Sequence, residues 1–171
     1  AIETLEDRRL YSATVIGSSL YIVGTHASSI DVIQVSESGG NIVVAQGTTN
    51  ETLPPPQFFA RANISYIQID TNDGDDRITV ETSTGVNVYA GKGNDTIIIN
   101  NTTVGAVQNG VYAGDGNDSI RANHGKDFIY GENGNDTIYA GLGDDFLNGG
   151  VGDDRDYGEA RNGSLAGHVG N

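Results

Sequence analysis

The stretch 113–157 decides the fold, because it repeats itself every nine residues. Its five consecutive units read AGDGNDSIR, ANHGKDFIY, GENGNDTIY, AGLGDDFLN and GGVGDDRDY. Position 4 of every unit is glycine and position 6 is aspartate, while position 8 is apolar in the first four units and Asp156 in the fifth. Two further units lie upstream, AGKGNDTII at 90–98 and the weaker TNDGDDRIT at 71–79. A short fixed period predicts a repetitive architecture.

Each unit combines a tight turn with a short strand. Glycines two residues apart allow positive φ angles and close backbone approach, so the first six residues can turn with their carbonyl groups aimed inward. In the strand that follows, position 8 points into the core and its neighbours point outward. Two units make one coil of eighteen residues, so turns of equal parity stack in a column. The pattern therefore predicts an all-β fold, a parallel β-roll or β-solenoid.

Stacking brings the position 6 aspartates of neighbouring coils face to face. The gap is one strand spacing, about 4.8 Å, and two carboxylates that close repel each other unless a cation lies between them. A cage of carboxylate and backbone carbonyl oxygens suits Ca²⁺, which accepts about six to eight oxygen ligands, whereas Zn²⁺ would require His or Cys. The sequence thus predicts several calcium ions along the roll.

The upstream units fit the same roll if its coils differ in length. The step is nineteen residues from 71 to 90 and twenty-three from 90 to 113, the longer one containing an insertion around 102–108. Neighbouring pairs in this register predict up to about five calcium sites, four on one side and one on the other. The long column contains Asp76, Asp95, Asp118, Asp136 and Asp154, and the short column contains Asp127 and Asp145. The predicted carbonyl ligands come from the turn glycines Gly91, Gly93, Gly114, Gly116, Gly125, Gly134, Gly141, Gly143, Gly150 and Gly152.

These units resemble the nonapeptide G-G-x-G-x-D-x-U-x of RTX (haemolysin-type) calcium-binding proteins. The resemblance covers 71–157 and implies a parallel β-roll that binds calcium at extracellular concentrations. Asn72, Asn123 and Glu132 depart from glycine, which matters less where only a carbonyl oxygen is required. Asp156 at a core position indicates that the last unit ends the roll. A Gly/Asp-rich disordered linker would not place apolar residues in phase, but disorder is the expected state without calcium.

Composition narrows the function classes. The chain has 171 residues, enough for one domain with a modest core, and a net charge of −14 from 23 acidic and 9 basic residues. That balance argues against nucleic acid as a partner. The chain has no cysteine, which excludes disulfides and thiol chemistry, and no apolar run approaches the length of a membrane span.

The remaining sequence divides into a leader-like segment at 1–13, a β-rich cap at 14–70 and a tail at 158–171. The string LEDRRLYSA in the first segment resembles the LEPR-XLL type of leader of exported bacterial proteins, which implies export. An ordinary capping turn is the alternative. The tail has few apolar residues and no helical period, so no capping helix is predicted there.

Two β-hairpins are predicted in the cap, around 17–19 and 39–41. The stretch 46–63, which contains PPPQFF, is predicted as a loop that packs over the roll end or contacts a partner. Asp31 stands at position 6 of a degenerate unit in which Ser29 replaces the turn glycine, so no calcium site is predicted there.

No catalytic constellation stands out. His26, His124 and His168 are scattered, and the repeat period marks the abundant acids as calcium ligands rather than hydrolase residues. Three functions stay open: a calcium-dependent structural protein, a carbohydrate- or surface-binding module, and a polysaccharide-modifying enzyme. The short chain with its own leader-like start favours the first. We therefore predict no enzyme, Ca²⁺ as cofactor, secretion to the cell surface, and self-association into a homo-oligomer or filament through sheet ends. Polysaccharide or the cell surface is the further partner considered.

Overall fold

The structure is a computed structural model that describes residues 12–24, 30–48, 55–101, 107–159 and 164–165. Most of the leader-like segment, part of the predicted loop, most of the predicted insertion and most of the tail lie outside these residues, as do His26, Ser29 and His168.

The described part of the chain is almost entirely β-strand. Its strands are β1 (Ser12–Ile16), β2 (Ser19–Val23), β3 (Asp31–Ser38), β4 (Asn41–Thr48), β5 (Gln57–Ala60), β6 (Tyr66–Asp70), β7 (Arg77–Glu81), β8 (Val86–Lys92), β9 (Thr96–Ile99), β10 (Gln108–Asp115), β11 (Ser119–Ala122), β12 (Lys126–Asn133), β13 (Thr137–Leu142), β14 (Phe146–Val151), β15 (Arg155–Glu159) and β16 (Ser164–Leu165). A short 3₁₀ helix, Arg61–Asn63, precedes β6. No helix in the described ranges is long and apolar enough to cross a membrane.

Two sheets of eight strands face each other, and we call them sheet A and sheet B. Sheet A has the order β1-β2-β6-β8-β10-β12-β14-β16, and sheet B has the order β15-β13-β11-β9-β7-β3-β4-β5. From β6 onward the chain alternates between the sheets, and each strand pairs in parallel with the strand one coil away. The predicted fold class is confirmed: the chain forms a parallel β-solenoid of about five turns.

The two predicted hairpins begin the solenoid. Strand β1 runs antiparallel to β2 at the edge of sheet A, and β3 runs antiparallel to β4 in sheet B. Strand β5 adds antiparallel to β4, so the prediction of a loop at 46–63 was wrong in part: its described residues contain the end of β4, all of β5 and the 3₁₀ helix. Phe59 packs against the hydrophobic core, whereas Phe58 is 63% exposed.

The core consists of ladders of apolar side chains from the position 8 residues and their equivalents. Ile78, Ile97, Ile120 and Ile138 stack in sheet B, opposite Val88, Val111, Ile129 and Leu147 in sheet A, and none of these is more than 1% exposed. Each such side chain stabilises the fold by about 1.5–3 kcal/mol through burial. Asp156 continues the sheet B ladder beside Ile138, so the apolar stack ends at β15, the last described strand of that sheet.

Candidate metal centre

Wherever the chain passes from sheet A to sheet B, the turn ends in an aspartate. The structure stacks these residues in one column, which we call the long ladder: Asp31, Asp76, Asp95, Asp118, Asp136 and Asp154. The backbone N–H of each donates to Oδ1 of the next, at 2.7–3.0 Å. The five aspartates that the uneven spacing places in one column therefore occupy one ladder in that order.

Asp31 is the rung that the sequence did not assign to a site. Its side chain is fully buried, and its backbone N–H donates to Oδ1 of Asp76 at 2.7 Å. Glycine at position 4 is absent from that turn, which hid the relationship. The remaining signal was the pair Asp31 and Ile33, which keeps the two-residue spacing of Asp76 and Ile78.

The second carboxylate oxygen of each ladder residue after Asp31 is buried without a partner. Oδ2 of Asp76, Asp95, Asp118, Asp136 and Asp154 has no hydrogen-bond donor within the described structure. A buried anionic oxygen without a partner is costly. A cation between successive rungs would satisfy these atoms.

Backbone carbonyl oxygens point into the same gaps between turns. A Cβ added at Gly116 would overlap the carbonyl oxygen of Gly93, and one added at Gly134 would overlap that of Gly116. A Cβ at Gly131 would meet both Oδ2 of Asp136 and the carbonyl oxygen of Gly149. Oxygens from adjacent coils thus converge where only a glycine leaves room. The same overlap with a carbonyl of the preceding coil occurs at Gly91, Gly93, Gly114, Gly141, Gly143, Gly150 and Gly152.

The turns from sheet B back to sheet A carry a second, shorter column, which we call the short ladder. The backbone N–H of Asp127 donates to Oδ1 of Asp145 at 3.0 Å. Above them the equivalent position is Asn109, whose Nδ2 donates to Oδ1 of Asp127 at 2.6 Å. The carbonyl oxygen of Val107 lies 2.8 Å from where a Cβ on Gly125 would be, so the same turn geometry is kept. Oδ2 of Asp127 is buried and lacks a partner within the described residues.

Neutral amides close the short ladder at its upper end. Asn109 Nδ2 also donates to Oδ1 of Asn101 at 2.6 Å, and Asn101 Nδ2 donates to the carbonyl oxygen of Thr82 at 3.3 Å. The backbone N–H of Val86 donates to Oδ1 of Asn109 at 3.2 Å. At this point the column changes from carboxylates to amides, which satisfy one another without a cation.

Position 5 of the long-ladder turns forms an outer ladder on the surface. The backbone N–H of each member donates to the side-chain Oδ1 of the preceding member, at 2.7–2.9 Å. The members in order are Asp75, Asn94, Asn117, Asn135 and Asp153. Their contribution is positional, because each bond fixes the spacing of two successive turns.

Burial disfavours the charged form of the ladder aspartates. It raises the pKa of Asp76, Asp118 and Asp136 to about 6 and that of Asp95 and Asp127 to about 7. The pKa of Asp145 is raised for the same first reason. Neighbouring carboxylates add to the effect, as Asp118 and Asp76 do at Asp95. The stacked turns therefore hold their negative charge at a cost that a divalent cation would offset.

The donor set fits calcium. Within the described ranges, no three His, Cys, Asp or Glu side chains converge as a metal cluster. Each gap instead offers carboxylates from two rungs together with turn carbonyls, which is an all-oxygen set that Ca²⁺ accepts and that lacks the nitrogen and sulfur ligands typical of Zn²⁺. The residues that would hold calcium are the ladder aspartates and the turn glycines named above.

Comparison with known families agrees with this geometry. Residues 87–98, 111–138 and 125–156 match the RTX calcium-binding nonapeptide repeat, in four copies. No curated protein and no solved structure matches the chain. The chain therefore carries RTX repeats, which bind calcium, and proteins with such repeats are typically secreted. The matched segments include both ladders from Asp95 onward and leave out Asp31 and Asp76.

Proposed function

We propose that this chain, a carrier of RTX calcium-binding repeats, is an extracellular structural protein whose β-roll folds when calcium binds and then associates end to end. The observation that carries the proposal is the long ladder, in which buried carboxylates stack on one another with an unpartnered Oδ2 on each rung after the first. No enzymatic role is proposed, because neither ladder brings together a nucleophile and a base.

Calcium binding and folding are coupled in this arrangement. Without a cation the stacked carboxylates oppose the coil spacing that the apolar ladders require, so binding free energy becomes folding free energy. The effect is expected to be strongest in 71–157, which contains the short ladder, every long-ladder rung except Asp31, and most turn glycines.

Circular dichroism during calcium removal tests the coupling. Chelation is expected to abolish most of the β signal, and returning calcium is expected to restore it. Magnesium at the same concentration serves as a control, since it demands a smaller octahedral site and keeps its waters. Unchanged β content in fully calcium-free protein at neutral pH would refute the coupling.

The ends of the solenoid support association. Among the described strands, sheet A begins with β1, where Ile16 is 65% exposed, and sheet B ends with β15, where Tyr157 is 46% exposed. Val151, the last residue of β14, is 61% exposed. An unpaired strand edge is a template for another chain. A contact between unlike ends that does not close into a ring extends into a filament.

Sedimentation velocity in millimolar calcium tests the assembly. The weight-average mass is expected to rise with protein concentration, and Tyr157→Lys is expected to suppress that rise by placing a charge on the terminal strand. Ile98→Lys, on the outer face in the middle of sheet B, is the control and should assemble normally. A monomer at every concentration would refute assembly while leaving the calcium coupling intact.

A further inference from the structure

We propose that the outer face of sheet A carries a binding groove for a neutral glycan. The groove lies where a glycine interrupts a column of outward-facing side chains. The groove has a volume of about 470 Å³ and lies across the middle coils. That size falls within the range of small-ligand sites, roughly 300–1,000 Å³. The site lies on the outer face of sheet A, next to the amide end of the short ladder, because Asn109 also lines it. It does not depend on end-to-end association.

The groove exists because one outward position is a glycine. Along one column of sheet A, Asn87, Gly110, Phe128 and Phe146 are register partners on successive coils. Gly110 contributes no side chain next to Phe128, whose ring carries the Lys126 Nζ at 5.3 Å from its centroid. The neighbouring rungs, Asn87 and Phe128, are two strand spacings apart, or about 9–10 Å. Gly85 opens the adjacent margin of the groove in the same way.

Aromatic rings flank the gap. Tyr66 and Tyr112 line it together with Phe128. Tyr112 is held in place by a ring stack with Tyr89 on one side and Tyr130 on the other, with centroid separations of 4.9 and 5.1 Å and interplanar angles of 5°. The stack fixes the Tyr112 ring before any ligand arrives, so little side-chain entropy is lost on binding.

The polar lining consists of side-chain amides and hydroxyl groups, the latter from Ser65 and the two tyrosines. Asn87 and Gln108 both line the groove, and each amide offers two donors and an acceptor. Asn87 Oδ1 leans over Gly110, 2.5 Å from where a Cβ would be. None of the lining residues is charged, and among the described residues the one charged group placed against a lining ring is Lys126, whose Nζ lies 5.3 Å from the Phe128 centroid. The chain as a whole carries a net charge of −14.

A neutral saccharide matches this lining. Its rings offer apolar C–H faces that stack on aromatic rings, and its hydroxyl groups exchange hydrogen bonds with amides. Nucleobases would also stack, but their phosphates would be repelled by the acidic chain. Anionic glycans meet the same repulsion. The occupant is therefore an uncharged oligosaccharide.

Isothermal titration of the full calcium-loaded chain with cellohexaose, laminarihexaose and chitohexaose tests the inference. At least one is expected to bind with a Kd in the micromolar to low-millimolar range. Gly110→Val, which fills the missing rung with a strand-compatible residue, and Phe128→Leu, which keeps apolar bulk without a ring, should each weaken binding about tenfold.

Tyr139→Ala is the matched control, because Tyr139 is an outward tyrosine stacked on Tyr157 at 4.6 Å but belongs to sheet B. It should bind normally. Circular dichroism verifies that each variant keeps the calcium-dependent β signal, and Phe128→Leu remains informative if Gly110→Val does not fold. The proposal would be overturned if none of the three neutral oligosaccharides bound, or if all variants bound them equally. Oligogalacturonate is titrated as the anionic comparison, and binding of that ligand alone would also overturn the proposal.

Discussion

The two turn columns share one backbone geometry and differ in charge. The long ladder contains six aspartates from Asp31 to Asp154, whereas the short ladder contains Asp127 and Asp145 and is closed by Asn109. Between aspartates, both columns use a backbone N–H donating to Oδ1 of the next rung, whereas Asn109 reaches Asp127 through its side-chain Nδ2. The comparison shows that the solenoid step does not itself require carboxylates, because amides satisfy each other at the equivalent position. We therefore attribute the aspartates to cation binding rather than to the turn.

The pH dependence of the calcium-free protein is expected to give the largest effect. Burial in the folded chain raises the pKa of five ladder aspartates to about 6–7, from an ordinary value near 4. They are Asp76, Asp95, Asp118, Asp127 and Asp136. A group whose pKa is raised by folding contributes its stability below the unfolded pKa and loses it as pH rises through the folded value. The calcium-free roll should therefore be folded near pH 4–5 and lose β structure between about pH 6 and 8.

Circular dichroism of dialysed, calcium-free protein measures this transition. Four raised aspartates belong to the long ladder and two to the short one. Asp95→Asn should consequently flatten the pH dependence of the β signal. The double variant that combines Asp95→Asn and Asp118→Asn should flatten it more than the single variant Asp145→Asn does. With calcium present the dependence should reverse, because protons then compete with the ion. A calcium-free β signal that rises with pH would contradict the assignment.

Removing single rungs gives the next largest effect. Asp136 has neighbours on both sides, Asp118 and Asp154, so Asp136→Ala is expected to weaken two calcium sites. Asp127→Ala is expected to weaken only the site shared with Asp145. Calorimetric titration should show about twice the loss of stoichiometry in the first variant. Asp153→Ala is the control, because Asp153 is exposed and lies outside the long ladder, at the end of the outer ladder. It should bind calcium as the unchanged chain does. Equal losses from Asp136→Ala and Asp127→Ala would refute the ladder assignment.

Converting the short ladder into a longer one should have a moderate effect. Asn109→Asp removes the amide that donates to Asp127 and Asn101 and places a second carboxylate opposite Asp127. Without calcium at pH 4–5, where the calcium-free roll is expected to be folded, stability should fall by about 1–3 kcal/mol, the cost of unsatisfied buried polar groups. With calcium at neutral pH, one further ion should bind. Thermal unfolding measures the first effect and calorimetric titration the second. Asn109→Ala separates loss of the amide from gain of the charge, and additional binding by that variant would contradict the explanation.

The smallest effect concerns position 2 of the turns. Glu132, in a long-ladder turn, has φ of 75°, a left-handed conformation that costs a non-glycine residue about 1–2 kcal/mol. Asn123, at the same position of a short-ladder turn, does not have a positive φ. Glu132→Gly should therefore raise the free energy of unfolding by about 0.5–1 kcal/mol, and Asn123→Gly should lower it by a similar amount. Denaturant unfolding in saturating calcium measures both, and equal shifts would show that the two turns do not differ in strain.

The sequence predicted most of the site, because the nine-residue period sets both the turn and the inward residue. The positions of Gly116, Asp118 and Ile120 within one unit are sufficient to place a turn, a rung and a core side chain. The unequal steps between units still allowed the long column to be assigned in order. The sequence placed Asp31 at position 6 of a degenerate unit but assigned it no site, because Ser29 stands where the turn glycine is expected. The register of β3 with β7 and the bond to Asp76 show that it belongs to the ladder.

Within the repeats, the sequence alone determined the parallel roll, the sign of its charge and the oxygen chemistry of its turns, since each depends on residue type and spacing. Tertiary structure decided what depends on contacts between distant coils. Pairing across coils made Asp31 a ladder residue, joined Asn101 to Asn109, and placed Gly110 beside Phe128. These contacts link residues that are 8 to 45 positions apart in the sequence. A period of nine does not specify which residues face each other where a coil departs from the regular length.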